Sequence, residues 1–325
     1  MYIPIIFIHQ GYSSYLEFSL RQARYFCPDS EIILLGDDSN DCFDFITHIN
    51  IHDFHESADA FAAVYKHCST NPYSYELFCF QRWFILEEFI RKSGKYDQVF
   101  VCDSDVLLYS DIDKLAKRYW QDYELGLIIY SDDKYSIGIS YCTETVLNRF
   151  CEFTTRQYTE DNNFSRIQAR WDEIVSSGQP GSYCDMCAIE SFCKENDGEL
   201  KYFNITKYAH HGTFDFHINI PNCWEQDMYR FRWGRKRFAW RQKCPYSMHV
   251  GINRYAKFHC IHFQGPAKYL IASFYTAPPF KGMFKLKIRY FFLNFMAFWY
   301  KTLKIRYRFA FVFNYIFSKD KGTSN

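Results

Sequence analysis

At 325 residues and 39.1 kDa, with 23% charged and 21% aromatic residues, the chain has a globular composition with a heavy aromatic load, and it can bury a large core as one domain or two lobes. Thirteen cysteines, an odd number scattered without framework spacing, exclude a disulfide scaffold and read as buried free thiols in a reducing cytosol. The net charge of +1 divides unevenly: residues 281–321 hold ten Lys or Arg and one acid, whereas the rest holds 28 basic and 36 acidic residues, so a mildly acidic body carries a strongly basic tail.

The opening "MYIPIIFIHQG" lacks the basic n-region and the apolar length of a secretory leader. Its run 2–9 is continuously apolar and predicts a parallel strand buried on both faces, ending at His9-Gln10-Gly11. "SYLEFSLRQARYF" predicts a helix stopped by Pro28, and 31–38 a second buried strand ending at Gly36-Asp37. A long helix over roughly 76–92 leads into a third such strand, 98–103. Residues 124–142 predict two strands around an Asp-Asp turn. A Gly/Pro loop then opens a helix near Asp185, and 258–270 predicts a late strand and turn. "CDMC" (Cys184, Cys187) has no second pair to complete a zinc ligand set, so it is expected to be two buried thiols facing a helix. Strand and helix alternate, which predicts an α/β fold with a parallel core and ligands at the carboxyl ends of the strands. The only break in composition falls at Pro278-Pro279, dividing a body, 1–279, from a tail, 280–325.

Two Asp-x-Asp triplets occur eight residues apart, and chance alone supplies about one or two in a chain of this composition. Asp111 and Asp113 follow Ser110 and precede a helical run, so Ser110 is expected as the N-cap with Asp113 closing a capping box, both acids favouring the positive helix end. Asp103 and Asp105 instead end an apolar strand, where bare charges are costly to desolvate. A period of two puts both carboxylates on one side and Ser104 on the other. Two hard oxygen ligands at such a place suit Mg²⁺ or Mn²⁺ and leave positions open for phosphate oxygens.

Far along the chain, "HFQGPAK" reads His262-x-x-Gly265-x-x-Lys268, a pattern expected only ~0.03 times by chance. Imidazole suits Mn²⁺ as a third ligand, Gly265 lets backbone approach a phosphate, and Lys268 can neutralise it. Arg82 lies at helical spacing between Phe78, Ile85 and Phe89, and an arginine on an apolar stripe needs an anionic partner: a diphosphate, Asp103, or a structural carboxylate.

Asp103-Ser104-Asp105 with His262, Gly265 and Lys268 resembles the retaining glycosyltransferases of the GT-A fold, the group containing glycogenin and the lipooligosaccharide galactosyltransferases. The resemblance covers roughly residues 2–270 in element order. It implies a Rossmann-like GT-A body with Mn²⁺ (or Mg²⁺) on Asp103, Asp105 and His262, and a nucleotide-sugar donor, UDP-linked, gripped by Gly265 and Lys268. It also implies that Asp185, alternatively an N-cap, contacts the donor sugar. The strand-end residues His9, Gln10, Gly11, Gly36, Asp37 and Ser104 would bind the nucleotide, and the acceptor would be a saccharide or a lipid-linked one. A sugar-1-phosphate nucleotidyltransferase would carry a Gly-rich basic loop after the first strand, which "HQGYSSYLEF" lacks. "YRFRWGRKRFAWRQK" (229–243), with seven basic residues and no acid among aromatics, suits single-stranded nucleic acid, an acceptor groove or anionic lipid. A nucleic-acid binder would not explain the metal ligands, so no nucleic-acid partner is expected. In the tail, neither apolar run of 284–317 reaches the ~20 residues that span a bilayer. Its mixture of rings and Lys/Arg predicts a helix lying on an anionic membrane, holding the enzyme peripherally on a cytoplasmic face, in surface polysaccharide or lipopolysaccharide synthesis; the alternative is a helical pair packed on the catalytic body.

Overall fold

Four apolar residues in a row leave β1 (Ile5–Ile8) without a polar face, and all four are buried. The computed structural model describes residues 2–303 apart from 133, 209–211 and 225–226. From β1 the chain passes through α1 (Leu16–Phe26), β2 (Ile32–Gly36), β3 (Thr47–Asn50), α2 (Glu56–Val64), α3 (Tyr73–Ser93), β4 (Gln98–Cys102), the short β5 (Val106–Leu108) and α4 (Ile112–Tyr119). A hairpin of β6 (Leu125–Ser131) and β7 (Lys134–Thr143) precedes α5 (Glu144–Thr159), α6 (Asp161–Ser177), α7 (Asp185–Glu195) and β8 (Tyr202–Asn204).

The main sheet has seven strands in the order β3-β2-β1-β4-β7-β6-β8. Pairs β2–β3, β1–β2, β1–β4 and β6–β8 are parallel, and β7 is antiparallel to both its neighbours. The fold is therefore α/β with a mostly parallel sheet. Alternation sends Ile6 and Ile8 into the core beneath α3 and Ile5 and Phe7 into the core beneath α1, so helices cover both faces. After β1 the chain builds outward to β2 and β3, then returns to place β4 on the other side of β1. This reversal makes the carboxyl ends of β1 and β4 a topological switch point, where open α/β sheets bind ligands.

The later chain forms a second layer. Strands β9 (Gly212–Thr213), β10 (Phe231–Arg232), β11 (Arg235–Lys236), β12 (Ala239–Arg241), β13 (Cys244–His249) and β14 (Arg254–Phe258) make a β10–β11 ribbon and a four-stranded sheet ordered β12-β13-β14-β9. β15 (Cys260–His262) then pairs antiparallel with β5, setting His262 opposite Val106. A 3₁₀ helix, Gly265–Leu270, leads to α8 (Ile271–Phe274) and α9 (Met283–Leu303).

The long helix starts at Tyr73, three residues before the expected start, and ends at Gly94, whose φ of 55° is the left-handed stop that glycine favours. The expected boundary after residue 279 falls just before α9, but Tyr290 and Leu293 of that helix are buried against the body, and the Tyr290 hydroxyl meets Ser14 Oγ at 2.9 Å. Residues 304–325 of the expected tail lie outside the described residues.

The capping-box expectation needs correction. Asp111, not Ser110, caps α4 by accepting from Lys114 N–H. Asp113 is buried, where it accepts from Ile3 N–H at 3.1 Å and pairs with Lys117 at 2.7 Å. It ties the chain entering β1 to α4. Asp113→Ala strands the buried Ile3 N–H and is expected to cost about 1–3 kcal/mol, seen as a lower urea midpoint at unchanged slope. An unaltered midpoint would remove Asp113 from the framework.

Candidate metal centre and active site

The ladder between β4 and β7 runs one bond past Cys102, with Asp103 N–H donating to Gly138 O at 2.7 Å. Asp103 O then accepts from Val106 N–H, so Asp-Ser-Asp closes a tight turn rather than extending a strand. The expected convergence of the two carboxylates holds, but the turn produces it, not the strand pleat. Ser104 faces the other way: its carbonyl accepts from Ser19, and its hydroxyl meets His9 Nδ1 at 3.0 Å.

His262 arrives on β15. Its ring Nδ1 lies 2.8 Å from Phe216 O, which aims Nε2 at the turn, 3.2 Å from Asp105 Oδ1 and 4.0 Å from Asp103 Oδ2. One ligand atom from each of Asp103, Asp105 and His262 falls within 4.8 Å of the others, a group placed to hold a metal ion. The carboxylate-carboxylate-imidazole set and the anchored outer face of the ring fit a hard or borderline divalent cation. Burial disfavours charge on His262, but Asp105, by charge and hydrogen bond, and then Asp103 outweigh it and raise the imidazole to about 9. A cation entering the group takes the place of that proton.

Cations surround the pair of acids. Lys268, on the 3₁₀ helix after Gly265, sits 3.3 Å from Asp105 Oδ2 and over the Tyr15 ring. Burial works against charge on Asp105, yet His262 and then Lys268 hold its carboxyl down at about 2. Burial instead pushes Asp103 up, with Arg82 opposing. Arg82 donates through Nη1 to Asp103 at 2.8 Å and through Nη2 to Asp185 at 2.6 Å, while its buried Nε has no hydrogen-bond partner among the described residues. Asp185, first residue of α7, is buried and also accepts from Trp83 Nε1 at 3.0 Å. It is not the N-cap, a position that Cys184 occupies. Cys184 and Cys187 are both buried, as expected.

The loops after β1 and β2 are stitched to each other. Gly11 N–H donates to Asp37 Oδ2 at 2.6 Å, and the Asn40 amide donates to His9 O and Gly11 O. Gly11 has a φ of 82°, which favours glycine. Gly36 serves packing, because a Cβ there would collide with Asn40 and His48. Burial tends to raise Asp37, but Ser39 and the Gly11 N–H bring it below the usual range. Burial, then Lys268, lowers His9 to about 4, so its ring is neutral at pH 7. Gln10 is exposed at the loop surface.

Sequence reasoning brought together every member of the cluster except its supports. Asp215 accepts from the His262 backbone N–H at 3.2 Å and pairs with Lys236 at 2.7 Å, both side chains fully buried. Nothing local in "TFDFHI" announces that role. Gly138 was also missed: a Cβ on it would run into the Asp103 carboxylate. Gly138→Ala is expected to displace Asp103 and weaken divalent-cation binding about tenfold or more by calorimetry, with the chain still folded. Undiminished affinity would take Asp103 out of the metal group.

Several glycosyltransferase structures are similar to this chain at low identity. Mouse xyloside xylosyltransferase 1, in its apo form, shares 9% identity over 62% of this chain and 84% of that one, with a TM-score of 0.44. Galactosyltransferase LgtC, in complex with donor and acceptor sugar analogs, shares 17% over 62% of this chain and 73% of that one, with a TM-score of 0.34. The bifunctional glycosyltransferase WbbM shares 11% over 87% of this chain and 51% of that one, with a TM-score of 0.46. No protein-family model and no curated protein matches the sequence. The parallel-cored sheet flanked by helices is the architecture that the GT-A resemblance implies.

Proposed function

We propose that the chain is a metal-dependent glycosyltransferase that moves a sugar from a nucleotide-sugar donor, UDP-linked, to a saccharide or lipid-linked acceptor. The observation that carries this reading is the convergence of Asp103, Asp105 and His262, with Lys268 and Arg82 beside them, where β1 and β4 end side by side. Asp103, Asp105 and His262 would hold Mn²⁺ (or Mg²⁺), which when bound supplies Lewis-acid stabilisation to a departing diphosphate. Lys268 contributes a fixed positive charge on the side of Asp105. Arg82 positions both Asp103 and Asp185 through its two terminal nitrogens. Both hydrogen bonds to Asp185 fall on Oδ2, which leaves Oδ1 to accept from a donor-sugar hydroxyl. The stitched His9–Gly11 and Gly36–Asp37 loops form the nucleotide end, with the neutral His9 ring fixing Ser104. The retaining outcome follows from the resemblance: the acceptor hydroxyl attacks from the face the diphosphate leaves.

Asp105→Ala is expected to abolish Mn²⁺-dependent binding of UDP-sugars, whereas Lys268→Ala should weaken it about tenfold, the loss of one charge-assisted phosphate contact. Titrating both variants with a panel of nucleotide sugars, with and without Mn²⁺, checks this. Binding by Asp105→Ala at the wild-type level would refute the metal reading.

Attachment to an anionic membrane at a cytoplasmic face belongs to the same proposal, with α9 as the contact. Phe284, Ile288, Phe291, Phe292 and Phe295 are exposed and fall within an arc of about 100°. Lys281, Lys285 and Lys287 flank them. No helix among the described residues is long and apolar enough to cross a membrane. An amphipathic contact of this kind lies in the headgroup layer, which suits a lipid-linked acceptor in surface polysaccharide or lipopolysaccharide synthesis. The double variant F291E/F292E is expected to stay folded but no longer sediment with anionic liposomes at low salt. Sedimentation equal to wild type would exclude α9 as the anchor.

A further inference from the structure

The stretch from Met228 to Phe258 contains nine Lys or Arg and no Asp or Glu. Only Lys236 is neutralised within the fold, by Asp215; the other eight cations form no ion pair among the described residues. Folding gathers part of this charge into a cavity of about 590 Å³ between α4 and the β13–β14 face. Arg254 and Lys257 of β14 line it, facing Lys114 and Arg118 of α4. Its only acid, Asp111, is already paired with Lys114 at 2.7 Å. Tyrosine dominates the rest of the lining, with Tyr119, Tyr208, Tyr246 and Tyr255. Arg241 lies over both Tyr246 and Tyr255, at 5.4 and 5.2 Å from the ring centroids, and Arg118 lies 5.2 Å from Tyr119.

We propose that this cavity is a second saccharide site that holds an anionic, carboxylate- or phosphate-bearing segment of the acceptor away from the reacting sugar, an inference that rests on the glycosyltransferase reading above. Tyrosine faces pack against the C–H faces of sugar rings, phenol hydroxyls meet sugar hydroxyls, and Arg or Lys binds acidic substituents with charge-assisted bonds. The volume falls within the range of small-ligand sites. Its place also favours an acceptor. His259 and Ser110, joined at 2.8 Å in the cavity wall, stand at one end of the β5–β15 ladder, and Asp105 and His262 stand at the other. The three residues from His259 to His262 correspond to roughly 10 Å of strand. A chain held in the cavity is thus held at a set distance from the metal group.

The test measures binding of tetragalacturonate, neutral maltotetraose, inorganic phosphate and a short oligothymidylate to the full chain, with Mn²⁺-dependent UDP-sugar binding followed in parallel. Wild type should bind tetragalacturonate at least about tenfold more tightly than maltotetraose or phosphate. R254Q/K257Q should lose about tenfold or more of that affinity while binding UDP-sugar normally, and R118Q, on the opposite wall, should behave the same way. Affinity unchanged in both variants would overturn the proposal. So would maltotetraose or phosphate binding as well as tetragalacturonate, or oligothymidylate binding more tightly than any of them. Failure of wild type to bind any UDP-sugar, with tetragalacturonate binding intact and lost in the variants, would overturn the glycosyltransferase reading and leave an anionic-saccharide site.

Discussion

Two carboxylates at the end of a buried strand repel each other and lose hydration, and the site is organised around relieving that cost. Asp103 and Asp105 are separated by one residue in a closed turn, and each is answered by a cation from a different part of the chain. Arg82 comes from the middle of α3, His262 from β15 and Lys268 from the 3₁₀ helix that follows. Removing any one of them would leave a buried charge with too few partners. The same demand explains Gly138 on the neighbouring strand, since the Asp103 carboxylate occupies the space a side chain would need.

That electrostatic demand depends on topology. β1 and β4 are parallel neighbours because the chain turns back after β3, so their loops open side by side. The β5–β15 ladder then closes a connection of more than 150 residues, bringing His262 beside Val106 and hence beside Asp105. The Asp215–Lys236 pair locks this closure from behind. Asp215 accepts from the His262 N–H while Lys236 also donates to His217 O, so the strand carrying the imidazole is held on both flanks. Backbone geometry, not the side chain alone, aims Nε2.

These layers were unequally legible in the sequence. Buried parallel strands declare themselves because they have no polar face, and β1, β2 and β4 were read from the stretches 2–9, 31–38 and 98–103. The metal group was legible because a charged pair ending such a run is costly and because His-x-x-Gly-x-x-Lys is rare. Asp113 misled: its spacing from Ser110 fits a cap, but its burial beside Ile3 depends on a tertiary contact 110 residues away in sequence. Asp215, Lys236 and Gly138 act through contacts with no local pattern, and an acid-free basic stretch gives no sign that one of its lysines is fully buried.

Charge balance ties the chemistry to this arrangement. Formally, Asp103, Asp105 and Asp185 carry three negative charges, and Arg82, Lys268 and a protonated His262 carry three positive ones. The raised basicity of His262 is therefore the cluster neutralising itself. A divalent cation that displaces this proton leaves the same residues with one net positive charge. The diphosphate of the proposed nucleotide-sugar donor would meet a site short of negative charge only with such a cation bound. Under the proposed reading, metal first and donor second is the order this balance would favour, because the protonated, neutral cluster offers a diphosphate little net attraction.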